Sequence, residues 1–327
     1  MLAKFSGIGI KSISVCLPAY NPTVLECGQG FLSEKQAKRF TLNTGFARLC
    51  MADKQHTTAD LCIKAAQKIL QKDNRANVNA LVFVTTTSNW PTPATSHYIR
   101  HILGLPEQCI CIDVNEACSG YVMGYYLACS LIKGGQCRNV LLLCGDTASR
   151  YTDPKDSATH LLFGEAGSAT LVGAMDNIEN YFANATYGER YNALIAQYSA
   201  YNLPEGYLTM DGVRIMDFSL NEVPETISRL LEYAKTDKEK VNLFACHQAN
   251  KLILESLAKK LAVPPERVPF MAARTGNLMS ASIPAMLSIY DKSKQKNIVL
   301  AGFGAGLACA FCLTDLSNTE IMEIEYL

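Results

Sequence analysis

The stretch Asp113-Val114-Asn115-Glu116-Ala117-Cys118-Ser119-Gly120 joins a short apolar run to a longer one. Residues 109–114 have the length of a buried strand, and residues 121–133 can form a buried helix that Gly134-Gly135 would end. Cys118 is therefore predicted at the start of a helix, where unpaired N–H groups and the helix dipole favour a thiolate. This makes Cys118 a candidate nucleophile, although most buried cysteines are simply small apolar side chains.

Composition predicts a globular protein with a large core. The chain has 327 residues, of which 49% are hydrophobic and 18% are charged, and this length suggests about two domains or lobes. Thirty basic and thirty acidic residues give a formal net charge of zero. Because no global field attracts polyanions, we expect neither nucleic acid nor an anionic membrane surface as a partner.

The cysteines indicate a reducing compartment. Thirteen are present, and they lie within apolar runs such as residues 141–144, unlike the framework of a small secreted domain. Lys4 and Lys11 interrupt the apolar N-terminus, which argues against a signal peptide. Since no run reaches about 18 uncharged apolar residues, we expect a cytoplasmic protein without a membrane span.

The order of apolar runs predicts an α/β fold. Strands and helices alternate through the first half, which favours a parallel or mixed sheet covered by helices on both faces. The second half repeats this order, so we predict an internal duplication. Residues 178–220 are polar and aromatic, and we expect an extended excursion there that covers a site. The predicted strands are residues 5–17, 80–87, 109–114, 139–144, 168–172, 242–246, 297–300 and 307–313, and the predicted helices are 34–40, 58–71, 94–103, 121–133, 248–261 and 279–290.

Two more predicted strand ends carry reactive side chains. His247 follows the apolar run 243–246, and Gly276-Asn277 forms a turn before another helix. Ligands of α/β sheets bind at such strand ends. Cysteine, histidine and asparagine together indicate covalent catalysis by a thiolate, with two neutral hydrogen-bond donors for negative charge on a substrate oxygen. Taken singly, each of these residues has an ordinary structural explanation.

Four motifs in this order resemble those of 3-oxoacyl-[acyl-carrier-protein] synthase III, the initiating ketosynthase of the thiolase superfamily. The motifs are Ala-Cys-Ser-Gly at 117–120, His-Gln-Ala-Asn at 247–250, Gly-Asn followed by Ser-Ala-Ser-Ile-Pro within 276–284, and Gly-Phe-Gly-Ala-Gly at 302–306. The resemblance spans nearly the whole chain. It implies a thiolase-like duplicated fold with five layers, α-β-α-β-α, and a homodimer. The N-terminal half, 1–175, would carry the cysteine, and the C-terminal half, 176–327, the histidine and asparagine.

The resemblance also implies a two-step acyl transfer. Cys118 takes an acyl group from a thioester, and a malonyl- or β-ketoacyl-type thioester on an acyl carrier protein then condenses with it by a decarboxylative Claisen reaction. His247 and Asn277 would stabilise the enolate. The backbone N–H groups of Cys118 and Ala305 would stabilise the oxyanion of the acyl-enzyme intermediate. Such an enzyme acts in fatty-acid or specialised lipid and polyketide biosynthesis. It needs no cofactor and no metal, because acyl-CoA and acyl-carrier-protein thioesters are its substrates.

The acyl-donor region departs from the family pattern. Members that use acyl-CoA usually carry a tryptophan and an arginine before the Thr-Gly pair, here Thr44-Gly45, whereas this chain has Arg39-Phe40 and Asn43. We therefore hypothesise a carrier-protein donor or an unusual CoA ester. Thr92 stands where a bulky aromatic often limits the acyl pocket, with Trp90 nearby, which favours a longer or branched chain. Together with Asn250, these two residues are the predicted substrate contacts.

Other candidate sites have ordinary explanations. His97 and His101 lie one helical turn apart but lack a third metal ligand. Cys309 and Cys312 have redox or zinc spacing, yet residues three apart in a strand face opposite sides. Glu165, flanked by glycine, is expected to be structural. A basic patch on a predicted surface helix is either solvated or a docking site for an acidic carrier protein, and it consists of Lys251, Lys259 and Lys260.

Two alternative functions remain open at this stage. The acyl group on Cys118 could pass to an oxygen or nitrogen nucleophile without decarboxylation, although Asn277 argues against this. Alternatively, the chain could be a non-catalytic subunit of a heteromeric synthase. The presence of cysteine, histidine and asparagine together argues against that alternative, because a structural subunit has no need of all three.

Overall fold

The computed structural model describes residues 1–196, 206–291 and 296–327. Helices and strands alternate along much of these ranges, which confirms the predicted α/β class. The strands are β1 Leu2–Leu17, β2 Ala80–Val84, β3 Ile110–Val114, β4 Asn139–Asp146, β5 Ala166–Thr186, β6 Leu194–Ala196, β7 Leu208–Met210, β8 Leu243–Cys246, β9 Ile298–Gly304, β10 Ala308–Thr314, β11 Glu320–Ile321 and β12 Glu325–Tyr326. The α-helices are α1 Val24–Cys27, α2 Glu34–Thr44, α3 Thr58–Leu70, α4 Thr95–Leu103, α5 Gly120–Lys133, α6 Gly212–Tyr233, α7 Lys251–Leu261 and α8 Ser282–Ile289.

One mixed sheet connects the two halves in the order β3-β2-β4-β5-β10-β9-β8. The long strand β5 is its centre: its first part pairs antiparallel with β4 and its last part pairs antiparallel with β10. Strand β1 runs antiparallel along nearly the whole of β5. In the N-terminal half the parallel strands β3, β2 and β4 are followed by the antiparallel strand β5, and in the C-terminal half the parallel strands β8 and β9 are followed by the antiparallel strand β10. This recurrence is expected of a duplication.

Three large apolar clusters separate the helices and sheets into five layers. In β2, Val82 and Val84 belong to a central cluster with α5 and α8, whereas Leu81 and Phe83 pack outward against α3 and α4. The C-terminal half repeats this alternation, with outward residues packing against α6 and α7. Because side chains alternate between the faces of a strand, each half of the mixed sheet lies between a shared helical layer and an outer one. The predicted order α-β-α-β-α is confirmed.

Burial also explains the spacing of two cysteines. Cys309 packs in the outer cluster and Cys312 in the central cluster, on opposite faces of β10.

The predicted boundary after residue 175 falls inside β5, whose two ends pair with different halves. That division of the chain stays a prediction.

The predicted excursion at 178–220 is wrong in part. Strand β5 continues to Thr186, and the 22-residue helix α6 begins at Gly212, where the Asp211 side chain accepts hydrogen bonds from the N–H groups of Val213 and Arg214. The sequence analysis predicted no helix here, because α6 begins at a glycine and contains Pro224, and both residue types disfavour a helix. Residues 197–205 of the predicted excursion lie outside the described part of the chain.

A search of the described helices finds none with the length and apolar character needed to cross a bilayer. Within the same ranges, no cluster of three or more histidine, cysteine, aspartate or glutamate residues could hold a metal ion.

Candidate active site

Cys118 lies where the sequence predicted it, between the end of β3 and the start of α5, and it is buried. Strand β9 approaches it very closely. A Cβ atom added to Gly304 would lie 2.7 Å from Cys118 Cβ and 2.9 Å from its Sγ, and one added to Gly302 would lie 2.9 Å from Ser119 Cα. These distances are below normal van der Waals contact, so both glycines of the Gly-Phe-Gly segment are needed for β9 to pack against the nucleophile.

The electrostatics of Cys118 differ from the sequence prediction. Burial raises the pKa of its thiol well above the ordinary range, and the nearby charge of Asp146 raises it further. Hydrogen bonds from the backbone of Ala305 and of Cys118 itself act in the opposite direction. The helix end therefore favours the thiolate as predicted, but burial and Asp146 oppose it and raise the pKa overall. The two predicted oxyanion donors do lie beside the sulfur.

His247 follows β8, and both its backbone and its ring are held by contacts with β9. Its N–H group donates to the carbonyl oxygen of Ala301 at 2.8 Å, and its ring meets Phe303 edge-on, with 5.8 Å between ring centroids. Burial lowers the pKa of the imidazole to about 3, which a hydrogen bond to the backbone of Met279 only partly offsets. His247 is therefore neutral at physiological pH. Its Nδ1 atom is buried without a hydrogen-bond partner among the described residues.

Asn277 is fixed through its backbone. Its N–H group donates to Leu162 O at 2.9 Å, and its carbonyl oxygen accepts from the N–H group of Gly164 at 3.0 Å. The two backbone segments that carry Gly164 and Gly276 can approach each other because these residues have no side chains. A Cβ on Gly164 would lie 1.8 Å from Thr275 O. The Asn277 Oδ1 atom accepts the N–H group of Met279 at 2.9 Å. The amide NH₂ group is thus left as the donor, as the sequence analysis required.

Asp146, at the end of β4, is a site residue that the sequence analysis missed. It is buried, and its two oxygens accept hydrogen bonds from the backbone N–H and hydroxyl groups of both Thr86 and Ser280 at 2.7–3.3 Å. Burial raises its pKa to about 6 despite these donors. Asp146 therefore ties the loop after β2 to the segment that follows Asn277. Its position at a strand end was the signal that could have identified it.

Two cavities meet near Cys118. The smaller, of about 90 Å³, is lined by Cys118, His247, Asn277 and Asn250. Asn250 also caps α7, because its Oδ1 atom accepts the N–H group of Ile253 at 2.8 Å. The three predicted catalytic side chains, which are far apart in sequence, are thus brought together at one cavity.

The larger cavity, of about 580 Å³, contains Ala305 and Trp90 in its walls. Both cavities have Phe163 and Leu194 in their walls, and Ala117, next to Cys118 in the chain, lines the larger one. Thr92 is exposed and lines neither cavity. Its predicted contact with an acyl chain, like the roles of the other site residues, stays a prediction.

Glu165 has a structural environment. Its buried carboxylate accepts hydrogen bonds from the N–H group of Ala52 at 2.6 Å and from the backbone and hydroxyl of Ser149. It joins the loop before α3 to the turn after β4, which supports the interpretation that it holds the site together and takes no part in chemistry.

Comparison with known proteins identifies the family. Residues 112–189 match the family model for 3-Oxoacyl-[acyl-carrier-protein (ACP)] synthase III. Residues 231–316 match the family model for the C-terminal part of 3-Oxoacyl-[acyl-carrier-protein (ACP)] synthase III. A "Putative 3-oxoacyl-[acyl-carrier-protein] synthase 3" of Campylobacter jejuni is 28% identical over 94% of both chains. A "Beta-ketoacyl-[acyl-carrier-protein] synthase III 2" of Halalkalibacterium halodurans is 31% identical over 82% of this chain and 84% of its own length.

Solved structures agree. The crystal structure of a 3-oxoacyl-(acyl-carrier protein) synthase from Burkholderia xenovorans LB400 superposes with a TM-score of 0.93 at 31% identity, covering 100% of this chain and 99% of that one. The resemblance and the thiolase-like fold inferred from the sequence are both confirmed. The chain belongs to the 3-oxoacyl-[acyl-carrier-protein] synthase III family of acyltransferases.

Proposed function

We propose that this protein forms a carbon–carbon bond between an acyl group carried by Cys118 and a malonyl-type thioester on an acyl carrier protein. The observation that carries this proposal is the convergence of Cys118, His247 and Asn277 on one buried cavity. A β-ketoacyl thioester is the product, and fatty-acid or polyketide assembly is the pathway class in which such a product is used.

In the first step, Cys118 Sγ attacks the carbonyl carbon of the donor thioester. A new thioester bond forms at Sγ, the bond to the donor sulfur breaks, and the proton of Cys118 leaves with the donor thiol. The backbone N–H groups of Cys118 and Ala305 stabilise the oxyanion of the tetrahedral intermediate, since both lie beside the sulfur. Because burial favours the neutral thiol, the thiolate forms only as the reaction proceeds.

In the second step, the malonyl carboxylate leaves as carbon dioxide and its electron pair generates an enolate. The enolate carbon attacks the acyl carbon, and the Cys118 sulfur leaves. His247 and Asn277 stabilise the enolate oxygen by donating hydrogen bonds. Two observations support these roles: burial keeps His247 neutral, and the Asn277 Oδ1 atom is already occupied by the N–H group of Met279. A neutral imidazole has one N–H group, and in this proposal that group is Nε2–H; the Asn277 NH₂ group is the second donor.

The acyl carrier protein is the proposed macromolecular partner. Lys251, Lys259 and Lys260 are exposed along α7, which begins next to Asn250 at the small cavity. Lys251 lies 3.8 Å from Glu255, a weak ion pair at an exposed site. An acidic carrier docking on this helix would place its thioester near Cys118. Charge reversal at Lys259 and Lys260 should raise the KM for the carrier-bound substrate and leave kcat unchanged.

The acyl donor is proposed to be a carrier-protein thioester or an unusual CoA ester, because Arg39, Phe40 and Asn43 replace the expected CoA contacts. The protein is further proposed to act in the cytoplasm as a homodimer, by analogy with its family. A clean saturation curve with acetyl-CoA at micromolar concentration would contradict the proposal about the donor without affecting the condensation itself.

Intact-protein mass spectrometry tests the function directly. The protein is incubated with acyl-carrier protein or acyl-CoA and then with malonyl-carrier protein. The expected result is a thioester adduct on Cys118 that the second substrate discharges with release of carbon dioxide. Cys118→Ala should form no adduct, whereas Cys27→Ala should behave as the wild type. An adduct indifferent to malonyl-carrier protein would contradict the condensation, and no adduct with any donor would contradict enzymatic acyl transfer.

A further inference from the structure

The backbone of Met279 contacts both side chains that are proposed to bind the enolate oxygen. Its N–H group donates to Asn277 Oδ1 at 2.9 Å. Its backbone also lies close enough to the His247 ring for a hydrogen bond. Because the Met279 N–H group occupies Asn277 Oδ1, it decides which end of that amide is left to donate. The position of this one peptide therefore affects both donors.

Met279 has a backbone conformation that its surroundings must enforce. Its φ angle is +51°, in the left-handed region that residues other than glycine rarely adopt. Such a conformation costs energy and persists only where neighbouring contacts hold it. Met279 is buried and begins a short 3₁₀ helix, residues 279–281, that leads directly into α8. The contacts of this short segment are therefore the place to look for the support.

Asp146 holds Ser280, the residue that follows Met279. The Asp146 Oδ2 atom accepts the Ser280 N–H group at 3.3 Å and the Ser280 hydroxyl at 2.7 Å. The Oδ1 atom accepts the N–H group of Thr86 at 2.8 Å and its hydroxyl at 2.7 Å. Asp146 ends β4, and Thr86 lies just after β2, the parallel neighbour of β4. The segment is thus anchored to the ends of two paired strands.

A carboxylate suits this position better than an amide would. Two N–H groups and two hydroxyls converge on the Asp146 oxygens, one pair on each. An asparagine would turn its NH₂ group toward one pair, so that donors would face donors. The charge also has a cost, because it raises the pKa of the Cys118 thiol and disfavours the thiolate. A charge that opposes acyl loading is better explained by the segment that it holds.

We propose that Asp146 is a positioning residue for the condensation step. Through Ser280 it fixes the peptide of Met279. That peptide in turn orients Asn277 and His247, which donate to the enolate oxygen. This inference rests on the proposed function, since it assigns a residue to the second step of the same reaction. Acyl loading does not use these contacts, because backbone N–H groups elsewhere stabilise the oxyanion of the first step.

The experiment measures loading and discharge separately by intact-protein mass spectrometry at pH 7.5. Pantetheine thioesters of acetate and octanoate load Cys118, and malonyl-carrier protein then discharges the adduct. Asp146→Asn should slow discharge by about tenfold or more, because misplacement of a reacting group by about 1 Å is costly. Loading should be unchanged or faster, since removal of the charge lowers the pKa of Cys118. Ser280→Ala removes one of two bonds to Asp146, so discharge should slow severalfold and loading should be unchanged.

Asn180→Ala is the control for a general loss of stability. The buried Asn180 side chain accepts hydrogen bonds from the hydroxyls of Tyr125 in α5 and Thr314 in β10, both at 2.7 Å. This variant should lower the melting temperature and leave both rates unchanged.

Three results overturn the inference. They are a wild-type discharge rate in Asp146→Asn, an equal loss of loading and discharge in that variant, and a wild-type discharge rate in Ser280→Ala, which decides the question if Asp146→Asn does not fold. A wild-type protein that forms no adduct, or an adduct that malonyl-carrier protein does not discharge, overturns the proposed function and the inference with it.

Discussion

The two cavities beside Cys118 are built in different ways. The small one, of about 90 Å³, is framed by residues held through backbone hydrogen bonds and through glycines that allow very close approach. The large one, of about 580 Å³, is walled in part by side chains of the loop after β2, among them Thr85, Asn89 and Trp90. The comparison teaches that backbone contacts position the reacting groups, whereas side chains of the loop after β2 shape the larger cavity.

The largest expected effect concerns the two donors of the small cavity. His247→Ala and Asn277→Ala should each lower the rate of condensation by roughly a hundred- to a thousandfold, because each removes a donor to the enolate oxygen. Acyl loading of Cys118 should fall far less, since its oxyanion is stabilised by backbone N–H groups. Rates of adduct formation and discharge, measured separately, test this division. Equal losses in both steps would contradict the assignment of the two donors to the second step.

A smaller effect is expected at the close contact between β9 and the nucleophile. Gly304→Ala places a methyl group within 3 Å of Cys118 Cβ and Sγ, so the sulfur or the strand must shift. We expect acyl loading to slow by about tenfold or more, because misplacement by about 1 Å at a reacting centre is costly. Gly188→Ala is the control, since a Cβ there meets no atom within 4 Å. Loading at the wild-type rate in Gly304→Ala would show that the small cavity is less rigid than described.

The third prediction concerns the pH dependence of the thiol. Because burial and the charge of Asp146 raise the pKa of Cys118, the thiolate is the minor form across the neutral range. Its fraction, and therefore the rate of alkylation by iodoacetamide, should rise about tenfold per pH unit from pH 7.5 to 9, where Asp146, with a pKa of about 6, is already ionised. His247 contributes no inflection there, since its lowered pKa of about 3 keeps it neutral throughout. A plateau below pH 8 would show that the helix end outweighs burial.

The sequence identified the strand ends at Cys118 and His247 because each combines an apolar run with a reactive side chain and a turn. The predicted strand end at Asn277 is wrong, since the described residues between α7 and α8 contain no strand and Asn277 lies in the connecting loop. The sequence also predicted most helices and strands, since their apolar periods are clear. It missed α6, which begins at Gly212, contains Pro224 and has Asp211 as its cap. It missed Asp146 as well, because a single aspartate at a strand end carries no motif. Its partners, Thr86 and Ser280, are distant in sequence.

The sequence by itself therefore determined the α/β class, the order of elements and the identity of the reacting groups, because these follow from local periodicity and from motifs. Only the tertiary structure decided the protonation of those groups. Cys118 lies at a helix start as predicted, yet desolvation raises its pKa, and desolvation likewise makes His247 neutral. Burial depends on what the rest of the chain packs around a residue.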